Sequence, residues 1–348
     1  MNPKMTITDA ATCLGQTKTW VTSLLVDRNL PYFKSSGAIY FEHETARNFF
    51  QFSFTPRVIV FQIVKGGTGK TSLVYEFANR ASLYGARVLC IDMDQQGNLT
   101  HAFNQDAEDL PVMIDVLVDN HPLEASIIQV APGIDLLPSR FENAMLDEIL
   151  RLKNLPLDLV YREPLQGLKK HYDVIVVDCP PSLGQSVAAC ALAADYLLSP
   201  VTPEKFALSG LEIAYQSLEE LQENFGLSIA FGVVLNKFEA RTTLSQDALK
   251  YLQKNPRYRN KLLKNCIRAS QDFPKVIANQ GSIFDAIKPT TAKEDVDHLT
   301  RELLEIMPPL PPLFPATKKA LSKSLLTRSA PYVRKKKLPK KEFNPSLI

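Results

Sequence analysis

Residues 65–72 read Lys65-Gly66-Gly67-Thr68-Gly69-Lys70-Thr71-Ser72, directly after the apolar run 58–64. Glycines at this spacing let successive backbone N–H groups converge on one phosphate, and a helix starting behind them adds the positive end of its dipole. Lys70 is placed to reach β- and γ-phosphates, and the Thr71 hydroxyl to reach Mg²⁺. Two carboxylate groups follow in order. The run 87–92 ends in Asp92-Met93-Asp94-Gln95-Gln96-Gly97-Asn98, and the run 173–178 ends in Asp178-Cys179-Pro180-Pro181-Ser182. A phosphate cradle with acids beside it is the equipment of phosphoryl transfer, which needs positioning and charge neutralisation more than covalent chemistry.

Something must hold these groups at one edge. The segments 58–64, 87–92, 134–138, 173–178, 196–201 and 230–236 are mostly continuous apolar runs, as in strands buried on both faces of a parallel sheet. The stretches between them, such as 72–85, 209–225 and 244–253, have helical length. The alternation implies an α/β fold with a doubly wound, mostly parallel sheet and ligands at the strand C-termini.

The phosphate loop departs from the ordinary Walker A pattern, with Val64 where a glycine belongs and a second lysine, Lys65, opening the loop. It resembles the deviant Walker A of the ParA/MinD ATPases. In that family the first lysine reaches across a dimer to the partner's nucleotide. By this resemblance 92–98 is the Walker A′ motif, with Gln95 where the family usually has proline, and 178–182 is Walker B. The resemblance implies that Asp178 holds Mg²⁺ through water, that Asp94 orients the attacking water, and that Asp92 organises the metal side. It also implies a cofactor-binding role for the loop residues Lys65, Gly66, Gly67, Thr68, Gly69, Lys70, Thr71 and Ser72. Pro203, in 200–210, and Asn236, opening Asn236-Lys237-Phe238-Glu239-Ala240-Arg241-Thr242, match further family segments, the second on the adenine side. Arg241, Arg268 and Lys275 fall where partition ATPases place basic residues against DNA. Plasmid and chromosome partition ATPases fit 56–307 best. They imply ATP and Mg²⁺ as cofactors, weak ATPase activity, an ATP-dependent homodimer, non-specific DNA binding and a ParB-like centromere-binding partner.

Residues 1–55 form a separate module. Thr8 or Asp9 is expected to cap a first helix ended by Gly15. A second helix over 17–28 follows, with Trp20, Val21, Leu24 and Leu25 facing inward. A hairpin turns at Ser36-Gly37, and a third helix covers 42–50. The order resembles a MerR/excisionase-type winged helix-turn-helix, in which the second helix enters the major groove. Gln16, Thr17, Lys18 and Thr19 are then the base readers, and repression of the protein's own operon would follow.

Composition limits the alternatives. Hydrophobic residues make up 45% and charged residues 22% of 348, as in globular proteins. No apolar run approaches the ~20 residues of a membrane span, and the N-terminus lacks the apolar core of a signal peptide. A cytoplasmic, nucleoid-associated protein is expected. Five dispersed cysteines without a CxxC pair indicate neither a disulfide framework nor a metal cluster. From Pro308 onward, ten Lys or Arg stand against one acid, leaving 30 basic and 36 acidic residues in the rest. This Pro/Lys-rich tail, 308–348, points to nucleic acid or an anionic surface. It leaves two alternatives: a MinD-like ATPase that meets membrane, and a repressor that ATP merely switches.

Overall fold

The computed structural model describes residues 3–35 and 37–306. The basic tail 308–348 and its expected contacts lie outside the described residues.

The central sheet has seven strands in the order β10-β9-β4-β8-β5-β7-β6. They are β4 (Arg57–Phe61), β5 (Val88–Asp92), β6 (Ile128–Ala131), β7 (Ile134–Leu137), β8 (Val174–Asp178), β9 (Tyr196–Val201) and β10 (Ala230–Leu235). All pair in parallel except β6, which runs antiparallel to β7. The chain travels from β4 outward to β5 and β7. It then returns to β8, between β4 and β5, and crosses to β9 and β10 on the far side of β4. That reversal is the topological switch of a doubly wound sheet, where the strand ends open a ligand crevice. Register places Phe61 and Asp92 both opposite Asp178. The loops after β4, β5 and β8 therefore leave the sheet at one edge.

Six of these strands match the apolar runs read from sequence. β6 was not among them. It is the edge strand, with only Ala131 of its four residues buried, so its sequence carries no continuous apolar signal.

The described residues up to Phe50 fold as a helix pair, a hairpin and a third helix. β1 (Met5–Thr6), β2 (Phe33–Ser35) and β3 (Ala38–Phe41) make a small antiparallel sheet in the order β1-β3-β2. Pairing of β1 with β3 holds Thr6 extended, so Thr6, instead of Thr8 or Asp9, caps helix Ile7–Leu14 by accepting from Asp9 N at 3.1 Å. Gly15, at φ +62°, ends that helix. Thr17 caps helix Lys18–Asp27 by accepting from Trp20 N. The inner face of this helix is Val21 and Leu25, while Trp20 is 43% exposed and lies off the core. Four-residue spacing fixes one buried stripe, and Trp20 falls beside it.

This N-terminal segment packs tightly on the α/β body. Phe50 meets Tyr84 edge-on and Phe52 meets it at a tilt. Arg47 donates to Gly85 O at 2.7 Å and to Asp173 at 2.8 Å. Gly85 sits at φ +87°, and a Cβ there would lie 2.5 Å from Arg47 Cα. The fully buried Arg80 meets Met5 Sδ on one side and Asp297 and Tyr84 on the other. One hydrophobic cluster runs through both parts, from Met5 and Phe41 to Leu303.

Candidate nucleotide-binding site

The phosphate loop leaves β4 and turns into helix Lys70–Leu83 through Gly67 and Gly69, at φ +78° and +86°. L side chains rarely adopt these angles. A Cβ on Gly69 would also collide with the Asn236 amide nitrogen. No side chain caps this helix. Its first-turn N–H groups therefore face the adjoining cavity of about 990 Å³ without a protein acceptor from the cap position.

Asn236, just beyond β10, steadies the loop. Its Nδ2 donates to Thr68 O at 2.7 Å, and its Oδ1 accepts from Lys237 N. Lys237 Nζ adds a bond to Gly67 O at 2.8 Å. Asn236 lines the cavity, but both ends of its amide are engaged with the chain, so its observed work is to brace the phosphate loop. On the other side, helix Lys205–Phe225 approaches so closely that a Cβ on Gly210 would stand 2.8 Å from Val64 O.

The acids lie beneath the loop. Asp178 is fully buried, and neither of its carboxylate oxygens makes a close hydrogen bond among the described residues, the Thr71 hydroxyl being the donor that faces it. Burial pushes its carboxyl up to about 6, against the downward pull of Lys70 and Thr71. A desolvated carboxylate with so few partners is costly, and a cation held by these oxygens would offset that cost. Asp92 differs. Its Oδ1 accepts from Asp94 N, and its Oδ2 accepts from the backbone and hydroxyl of Thr100. Burial, then the nearby Asp178, raises its carboxyl to about 7. It holds the turn that presents Asp94. Asp94 borders the cavity, and its turn closes through Gly97 N to Asp94 O and Gln96 N to Asp94 Oδ1. Gln95 is accommodated in this turn without displacing the acid.

Gly66, Gly67, Thr68, Gly69, Lys70, Thr71 and Ser72 all line the cavity, and Lys70 is buried. Lys65 is half-buried and does not line it. Pro203 is buried past the end of β9 and does not line it either. Arg268, expected as a DNA contact, lines the cavity and is 30% exposed. Its guanidinium is taken by the fully buried Asp295, at 2.5 Å, and by Glu294, at 2.6 Å, so it clamps the cavity wall. Arg241 extends into solvent, 3.7 Å from Glu239. Lys275 is exposed on helix Asp272–Ala278. Gln16, Thr17, Lys18 and Thr19 are all exposed at the start of the second helix.

Sequence reading missed Lys237 and the cavity wall 269–278. The wall contributes Phe273 and Ile277. Lys237 stands in the quoted Asn236 motif, and a lysine following a strand-end asparagine was the available signal. The wall carries no residue pattern that sets it apart.

The comparisons agree with this geometry. The model of the AAA domain family matches residues 56–231. The cell division protein PomZ of Myxococcus xanthus is 32% identical over 248 residues, which cover 69% of this chain and 75% of PomZ. The chain belongs to the ParA/MinD-type P-loop ATPases of this AAA-domain family. The sporulation initiation inhibitor Soj of Bacillus subtilis is 29% identical over 61% of this chain and 83% of its own length. Among solved structures, an ATP complex of Cyanothece McdA superposes with a TM-score of 0.66 at 20% identity, over 74% of this chain and all of McdA. Cobyrinic acid a,c-diamide synthase of Mycobacterium smegmatis, with an ATP analogue and magnesium, gives 0.63 at 24%, over 75% and 100%. These two likenesses establish the fold of this ParA/MinD-type chain. Among the described residues no helix is long and apolar enough to cross a membrane.

Proposed function

We propose that this chain is a ParA-type partition or positioning ATPase. It binds ATP with Mg²⁺, pairs with a second copy, and in that form binds DNA. Slow hydrolysis, stimulated by a ParB-like partner, releases the DNA, and the protein works in the cytoplasm on the nucleoid. The observation that carries the nucleotide part is Asp178, a fully buried carboxyl facing Lys70 and the Thr71 hydroxyl, with neither oxygen closely hydrogen-bonded among the described residues. Mg²⁺ fits there: Thr71 and Asp178 would hold it, and it would supply neutralisation of phosphate charge. The loop N–H groups and Lys70 would bind the phosphates. Asp94, at the cavity edge, would orient water. Lys65, outside its own subunit's cavity, suits a contact with the partner's nucleotide. Kinship with PomZ and Soj supports the partition or positioning role. The exposed start of the second helix supports operator contact and repression of the operon.

Asp94→Ala tests the reading. The variant should bind ATP and dimerise, release phosphate far more slowly, and accumulate on DNA in a gel-shift assay. Unchanged phosphate release removes Asp94 from the mechanism. Liposome flotation without DNA binding would instead make the protein a membrane-positioning ATPase.

A further inference from the structure

Glu76 lies six residues past Lys70 on the phosphate-loop helix and is fully buried. An acid in such a place needs partners. Its Oε2 accepts from Ser282 Oγ at 2.6 Å, and its Oε1 accepts from Ile283 N at 3.1 Å. The turn it holds is itself well made. Ser282 N donates to Asp285 Oδ2, and Phe284 N donates to Ser282 Oγ. Lys4 adds bonds to Phe284 O and Asp285 O from the N-terminal segment.

This turn ends the strap 269–281, which forms the outer wall of the nucleotide cavity through Ser270, Gln271, Phe273 and Ile277. No residue of the strap is buried. Apart from the partial packing of Phe273 and Val276 on the core and one bond from Asn104 Nδ2 to Gln280 O, its position depends on its ends. Arg268 pins one end to Asp295. Glu76 pins the other, and it does so from the helix that begins at the phosphate loop.

We propose that Glu76 is a positioning residue for nucleotide binding: by holding Ser282 and Ile283 against the phosphate-loop helix, it fixes the strap as the cavity's outer wall. The proposal rests on the nucleotide reading above. Burial raises the Glu76 carboxyl to about 8, so it is largely protonated near neutrality. In that form Oε2 carries the proton and donates to Ser282 Oγ, reversing that bond, so glutamine can replace it, donating to Ser282 Oγ and accepting from Ile283 N.

The test uses full-length chain, titrated with a slowly hydrolysed ATP analogue and Mg²⁺, and followed by hydrogen exchange with and without nucleotide. Glu76→Ala should bind the analogue about tenfold more weakly, the loss expected when a buried hydrogen-bonded pair is left unmade. Glu76→Gln should stay within about twofold of wild type. Ser282→Ala should weaken binding in the same direction, and adding it to Glu76→Ala should bring little further loss. Without nucleotide, strap amides should exchange faster in Glu76→Ala than in wild type. That arm reports on the strap even if wild-type protein binds no nucleotide, an outcome that would defeat the nucleotide reading alone. A Glu76→Ala or Ser282→Ala chain that melts as a folded protein, binds with wild-type affinity and shows wild-type strap exchange would overturn the proposal. So would a Glu76→Gln chain as weak as Glu76→Ala.

Discussion

Asn236 donates through Nδ2 to the Thr68 carbonyl at 2.7 Å, tying the end of β10 to the phosphate loop 168 residues earlier in the chain. The same amide occupies the space a Gly69 side chain would need. Asn236→Ala should therefore loosen the loop and weaken ATP binding about tenfold, equivalent to ~1.4 kcal/mol. Gly69→Ala should abolish binding, because it adds a steric collision to a φ of +86°. Calorimetric titration with ATP and Mg²⁺ checks both. Equal affinities for wild type and Asn236→Ala would show that the loop holds its shape alone.

The two loop lysines separate by their surroundings. Lys70 is buried at the cavity, whereas Lys65 is half-buried and outside its lining. Lys70→Ala should lose ATP binding. Lys65→Ala should retain binding and lose the ATP-dependent dimer, read by size-exclusion chromatography with the slowly hydrolysed analogue. A dimer that survives Lys65→Ala rules out the cross-subunit contact.

The phosphate loop and Asp178 were legible because each combines a local pattern with a strand that is apolar throughout. Lys65 to Ser72 is one contiguous motif, and 173–178 is buried on both faces. What sequence did not reveal depends on partners distant in the chain. Arg268 looks like a free surface charge until Asp295, 27 residues later, takes its guanidinium. Glu76 looks like an ordinary helix acid until Ser282 arrives, 206 residues on. Trp20 looks like a core residue from sequence because its neighbours Val21 and Leu25 are buried. Periodicity fixes a stripe to within about a quarter turn and no better.

In sequence the N-terminal segment looks like a separable module, but its packing changes what deletion should do. Met5, Phe41, Phe49 and Phe50 are buried, and each buried side chain of this size contributes roughly 1.5–3 kcal/mol. That total rivals the stability of a whole domain, about 5–15 kcal/mol. Removing residues 1–55 should therefore lower the melting temperature sharply and diminish ATP binding with it. A truncated chain that melts like wild type would show that the contacts with Tyr84, Gly85 and Asp173 add little.

Buried acids set a pH trend. Burial raises Glu76 to about 8, Asp92 to about 7 and Asp178 to about 6. A carboxyl raised on folding binds its proton more tightly in the native state. The stability it contributes is complete below its unfolded value and is lost as pH rises through the folded value. Nucleotide-free protein should thus become less stable from about pH 5 to pH 8, with Glu76 accounting for at most about 5 kcal/mol. Glu76→Gln should flatten the upper part of that decline in denaturant titrations. A slope between pH 7 and 9 identical to wild type would mean that Glu76 is ionised in the fold.

Gln16, Thr17, Lys18 and Thr19 open the second helix and are exposed, although the Thr17 hydroxyl is already used as the helix cap. Because deletion of the segment endangers the core, point substitution is the cleaner probe of sequence-specific binding. Gln16→Ala and Lys18→Ala change exposed side chains and should leave melting and ATPase activity unchanged. If this helix reads an operator, both should lose protection of a promoter-proximal site. Lys18→Ala should also reduce the slope of log affinity against log salt by about 0.9 if the lysine neutralises one phosphate. Thr17→Ala should behave differently, costing about 1 kcal/mol of stability through the lost cap. Footprints identical for wild type, Gln16→Ala and Lys18→Ala would leave the segment as a packing element of the ATPase.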